Sequence, residues 1–172
     1  MPRKRQQSAQ PLQEDKCAQY WRERREEFGR NLFFLDTGAI LGSLEKDDQV
    51  YSDFFDSLVS ETLITSSYVV METVRRLVKD KHDSFAGPQG QRAVQLALYV
   101  IKDWIAARDV RVLHVPREVY TEAIEEFNRR HYIGCDLNDI LSAQIVRGLE
   151  QDRIVASDKN HFLQLGLNCL PS

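Results

Sequence analysis

Short runs of strand length, the first of them wholly apolar up to its closing Asp, recur along this chain, and stretches with helical spacing separate them. The runs are LFFL closed by Asp36 (residues 32–36), ETLIT (61–65), VRVLHV (110–115) and RIVA (153–156). Each has the length of a buried strand. Between them, Val70, Met71, Val74, Leu77 and Val78 align as one stripe in SSYVVMETVRRLVKDKH. A longer helix running to Arg108 carries Ala97, Ile101, Trp104 and Ile105, most simply as core. Helical spacing also marks residues 49–60, 116–130, CDLNDILSAQIVRGLE and a short piece near 159–165, before a terminal LNCL. DSFAGPQGQ (83–91) has two Gly and a Pro as breakers and predicts a loop. Parallel neighbours need long, usually helical crossovers. This alternation therefore predicts an α/β fold, an αβα sandwich whose mostly parallel sheet is covered on both faces.

The 172 residues suffice for one domain with a substantial core. We place that domain at 31–172 and an appended segment at 1–30. In the segment, residues 1–11 suggest disorder, while Cys17, Tyr20, Trp21 and Phe28 take helical spacing among Arg and Glu. Such an amphipathic helix would dock on the body or on a partner. Residues 1–30 carry eight Lys/Arg against five Asp/Glu, leaving 15 against 21 for the remainder. An acidic body argues against broad phosphate binding by a basic face, and it permits carboxylates that bind cations. No apolar stretch reaches the roughly 18–20 residues of a membrane span, and the basic start lacks the apolar core of a secretory signal. Cys17, Cys135 and Cys169 are odd in number without paired spacing. They argue against a disulfide framework or a zinc site and fit a reducing cytoplasm. His82, His114, His131 and His161 show no ligand spacing either.

The first strand runs into LDTGA (35–39), which contains the Asp-Thr-Gly triplet of aspartic proteases. That chemistry needs two carboxylates within hydrogen-bonding range. In the retroviral kind it also needs an all-β chain with a glycine-rich flap hairpin. Helical spacing dominates after residue 45 and no such hairpin follows, so the triplet is discounted. Phosphoryl transfer of the haloacid-dehalogenase type would want a second Asp where Gly38 stands, and is rejected.

Four carboxylates stand at or near element ends. In a parallel sheet ligands sit at the carboxyl ends of the strands, and Asp36 and Asp158 would share that rim. Either could instead serve a helix start, with Asp158 as N-cap and Thr37 capping a short helix after the first strand. Glu72 lies too deep after a Ser66 cap for a capping box, and Arg75 and Arg76 follow at i+3 and i+4, so a solvated ion pair competes with a site role. Asp139 has Ser142 and Ala143 at i+3 and i+4, so no cation of its own helix answers it, and a like charge, Asp136, stands at i−3. On a helix apolar on two sides it needs a partner or a raised pKa. Asp136 is the simpler helix-start residue.

Together these residues resemble the PIN-domain nucleases, including the VapC-like toxins. The family pattern is a strand ending in Asp then Ser/Thr (FFLDT), a strand and helix carrying Glu (LITSSYVVMETVRRL), a helix opening with Asp (LNDILSAQIV), and a strand then Asp with a nearby Phe (RIVASDKNHF). The order and approximate spacing hold over residues 31–172. In many members a Thr stands two residues before the last Asp; here Ala156 does, with Ser157 between. The resemblance implies a metal-dependent endoribonuclease in which Asp36, Glu72, Asp139 and Asp158 hold one or two Mg²⁺ or Mn²⁺ ions. Thr37 and Ser157 would support them, and Arg75, Arg76, Lys159 and His161 would contact single-stranded RNA. Arg129, Arg130 and Lys79 are further candidates for the same contact, surface solvation being the alternative for each. It further implies a homodimer and, for a toxin, an antitoxin protein. The alternative is a catalytically silent module of the same fold that binds RNA or protein.

Overall fold

Among the described residues, five strands form one sheet in which every neighbouring pair is parallel: β1 (Leu32–Leu35), β2 (Thr62–Ser66), β3 (Arg111–Leu113), β4 (Arg153–Val155) and β5 (Asn168–Leu170), in the order β3-β2-β1-β4-β5. The computed structural model describes residues 16–29, 31–44, 49–58, 60–79, 87–129 and 134–171. The expectations for residues 1–11, His82, Arg130, His131 and the first part of the 83–91 loop lie outside these.

β1 is central because all four of its residues are buried, as a strand covered on both faces requires. From β1 the chain steps outward through β2 to β3, then returns to lay β4 on the opposite side of β1. Leu35 pairs with Val155, and the Asp36 N–H donates to the Val155 carbonyl at 2.9 Å. This reversal of direction is a topological switch point, where the loops leaving β1 and β4 diverge and open a crevice. An all-parallel sheet with helices between its strands also rules out the all-β protease.

Eight helices complete the described residues: α1 (Lys16–Phe28), α2 (Thr37–Leu44), α3 (Gln49–Ser57), α4 (Ser67–Lys79), α5 (Gly87–Ala107), α6 (Arg117–Arg129), α7 (Leu137–Gly148) and α8 (Lys159–Gln164). The αβα expectation therefore holds, with two local corrections. GPQGQ belongs to α5 rather than to a loop; Pro88 falls in the first turn, where its missing N–H costs no intrahelical bond. In α4 the buried face is Val69, Glu72, Thr73, Val74 and Val78, whereas Met71 is 63% exposed. That face is turned toward Thr73 because the helix packs against α2, α5 and α7 at once.

The core lies between the sheet and its helices, with Phe34, Ile64, Ile140, Ile145, Ile154 and Phe162 fully buried. Helix α1 docks on the body. Trp21 covers Gly148, where an added Cβ would lie 2.4 Å from the indole, and Arg25 donates to the Gly148 carbonyl at 2.6 Å. No helix of the described residues is long and apolar enough to cross a membrane.

Candidate active site

Asp36 leaves β1 at the switch point and starts α2, its carbonyl accepting from the Ala39 and Ile40 N–H groups at 3.1 and 3.2 Å. Asp36, rather than Thr37, thus occupies the cap position, and Thr37 is the buried first residue of the helix. The next residue explains the glycine of the triplet. A Cβ on Gly38 would lie 2.0 Å from Ser157 Oγ and 3.0 Å from the Ser157 backbone nitrogen. The glycine lets the turn after β1 pass against the turn after β4, so Asp36 and the Ser157–Asp158 segment occupy one rim.

Burial pushes the Asp36 carboxyl up to about 7, and the charge of Asp139 pushes in the same direction. Backbone N–H groups of Thr37 and Gly38 and the hydroxyl of Ser142 oppose the rise. Ser142, fully buried on α7, donates to Asp36 Oδ1 at 3.2 Å. Below the rim, buried Thr65 donates to the Leu35 carbonyl at 2.8 Å and ties the end of β1 to β2.

Asp139 sits in the first turn of α7. Asp136 is the N-cap, accepting from the Asn138 and Asp139 N–H groups at 2.8 and 3.0 Å, and Asp139 Oδ2 accepts the Asp136 N–H in return at 2.8 Å. This reciprocal box satisfies the helix start. It leaves Asp139 facing the rim, with its pKa raised by burial and by the charges of Asp136 and Asp158, against the Asp136 N–H and His161. His161 on α8 is the partner that sequence spacing did not show: its Nδ1 lies 3.2 Å from both Asp139 Oδ2 and Asp158 Oδ2. Asp158 caps α8, accepting the His161 N–H at 3.4 Å. The capping and rim positions of Asp158 coexist.

Glu72 is buried, its side chain 8% exposed, yet both oxygens are engaged. Arg75 makes a bidentate pair at 2.7 and 2.8 Å and Arg76 adds a third bond at 3.0 Å. The Arg75 bonds, ahead of the opposing effect of burial, hold its pKa below the usual range. Glu72 and Arg75 share one cavity of about 450 Å³ with Asn138 at the start of α7, which brings α4 beside the rim. The structure therefore brings Asp139, Asp158 and His161 together, with Asp36 near enough to feel the charge of Asp139, while both oxygens of Glu72 are held by Arg75 and Arg76. Ser157, Lys159, Arg75 and Arg76 are exposed around this rim, and Thr37 is beneath it.

Ser142, beside Asp36, escaped the sequence reasoning. Ser142 stands one helical turn after Asp139, a signal that spacing could have used. Cys135 and Asp139 are close in sequence, but His161, which joins them, is 26 residues from Cys135.

Residues 33–166 match the family model described as the PIN domain. Among solved structures, the chain is similar to Mycobacterium tuberculosis VapC20, named as a sarcin–ricin loop cleaving toxin, at 22% identity and a TM-score of 0.56, over 77% of this chain and 94% of that one. It is also similar to VapBC2 from Rickettsia felis, bound to a DNA fragment from its promoter, at 17% identity and a TM-score of 0.55, over 80% of this chain and 96% of that one. A search of curated proteins finds no significant match.

Proposed function

The chain belongs to the PIN domain family, and on that premise we propose that it is a divalent-metal-dependent endoribonuclease acting on single-stranded RNA, as the toxin of a toxin–antitoxin pair. One observation carries the proposal. At the carboxyl rim of a parallel sheet, the charge of Asp139 reaches Asp36 and opposes its ionisation, and burial with that repulsion lifts Asp36 to about 7. Two such carboxylates are oxygen donors whose repulsion a hard cation relieves, which fits Mg²⁺ or Mn²⁺.

Asp36 and Asp139 would hold the ion, with Asp158 beside them. When bound, the ion lowers the pKa of a coordinated water and offsets charge on the leaving oxygen. Ser142 and the Thr37 and Gly38 N–H groups fix the orientation of Asp36, and Thr37 and Ser157 brace the two turns. The Asp136 N–H and His161 do the same for Asp139. Glu72, held here by Arg75 and Arg76, would join the donor set, and those arginines with Lys159 would contact RNA phosphates.

The toxin role draws on the VapC-like fold. The antitoxin and homodimer expected with it are read by co-purification and by mass in solution. A catalytically silent module is the second reading, supported by the engagement of Glu72 with both arginines. One assay separates them: mixed single-stranded RNAs are incubated with purified protein and Mg²⁺ or Mn²⁺, with and without chelator, beside Asp36→Asn and Asp139→Asn. The enzyme reading expects cleavage that chelator and either substitution abolish. Cleavage indifferent to both would overturn it, and RNA binding without cleavage would establish the silent module.

A further inference from the structure

We propose that Cys135, Asp139 and His161 form a Zn²⁺ site at the edge of the rim, sharing Asp139 with the nuclease site. The three come from the loop before α7, from its first turn and from α8, and one ligand atom of each lies within 4.8 Å of the others. The Nδ1 of His161 stands 3.2 Å from Asp139 Oδ2. A tetrahedral ion with bonds of about 2.0–2.1 Å needs an edge of roughly 3.3–3.4 Å between two such ligands. That side of the site already has the spacing zinc requires.

The imidazole is held in place. Gly134 has φ +81°, a conformation that favours glycine, and a Cβ there would lie 2.7 Å from His161 Nε2. The loop thus lies against one edge of the ring while two carboxylates face the other. Cys135 is buried, with its Sγ 3.5 Å from the His161 carbonyl oxygen, so the thiol stays beside α8. Thiolate, imidazole and carboxylate together select Zn²⁺ over Mg²⁺, which prefers oxygen alone. As the S–Zn bond forms, the Cys135 thiol releases its proton to solvent and no electrons change hands. Water or Asp158, whose Oδ2 is 3.2 Å from His161 Nδ1, takes the fourth position.

The consequence is inhibition. Zinc held through Asp139 withdraws that carboxylate from the catalytic cation, so micromolar Zn²⁺ would brake the enzyme. The inhibition rests on the function proposed above; the binding does not.

Co²⁺ gives a readout independent of activity. Titrated into the full-length chain, it should show a thiolate-to-metal charge-transfer band in the near ultraviolet and intense tetrahedral bands in the visible, both displaced by Zn²⁺. Cys169→Ser and Asp36→Asn should keep them. Cys135→Ser should lose the charge-transfer band and at least about tenfold in Zn²⁺ affinity. His161→Gln should lose similar affinity, and circular dichroism verifies that both variants fold. Zn²⁺ should suppress Mn²⁺-supported RNA cleavage by wild type but not by Cys135→Ser, whose cleavage without zinc stays at the wild-type rate. A wild-type spectrum without the charge-transfer band, or wild-type Zn²⁺ affinity in both variants, overturns the site. Zinc binding with the expected spectrum but no RNA cleavage upholds the site and overturns the nuclease reading instead.

Discussion

Replacing Asp36 with Asn should stabilise the metal-free protein while abolishing cleavage. The carboxyl rises from 3.8 to about 7 in the folded chain, chiefly through burial and then through Asp139. At about 1.4 kcal/mol per tenfold change, ionised Asp36 costs the fold as much as about 4 kcal/mol. The pH sign follows from linkage. Between pH 3.8 and about 7 the unfolded chain has already lost the proton that folded Asp36 retains. The penalty is therefore absent below that window, grows across it and is complete above it. Asn keeps the shape and removes the charge, so its advantage should be about 2–4 kcal/mol at pH 8 and near zero at pH 4. For a chain of this size that is a rise in Tm on the order of 5–10 °C. Thermal and urea unfolding of both proteins in chelator, at pH 4, 6 and 8, measures it. An equal gain at all three pH values, or none at pH 8, would refute the electrostatic account of the rim.

Other substitutions probe the supports of the site. Gly38→Ala forces a Cβ against the Ser157 backbone and side chain; it should cost about 1–3 kcal/mol in urea unfolding and lower cleavage by displacing Asp158. Ser142→Ala removes the hydroxyl that favours the Asp36 carboxylate; the acid limb of the pH–rate profile should move to higher pH and kcat/KM fall about tenfold. Trp21→Ala empties the contact of α1 with Gly148 and the edge-on packing on Tyr20; limited proteolysis should release α1 first, and stability should fall by about 3 kcal/mol.

The first strand was legible because a sheet covered on both faces leaves continuous apolar runs, as in LFFL, and the strand tips mark the rim in the sequence itself. Asp36 and Asp158 could be placed together on that ground alone. Helical spacing did less well where tertiary contacts choose the face: Met71 looked buried and is exposed, while Glu72 looked solvated and is buried. Its arginines at i+3 and i+4 suggested a surface pair, and the pair is real, but packing of α4 against three helices submerges the carboxylate. For Asp139, the need for a partner was visible in the sequence and the partner was not, since His161 arrives from another element across the β4 turn. The cysteines illustrate the same limit. Their spacing argued against zinc, yet Cys135 meets His161 in space through the fold.

The central claim is that Asp36 and Asp139 share one divalent ion. Anomalous diffraction from crystals soaked in Mn²⁺ tests it most directly. The account predicts a peak between these two carboxylates, about 2.1 Å from an oxygen of each, that vanishes in Asp36→Asn. Mn²⁺ peaks elsewhere with none between Asp36 and Asp139 would contradict it.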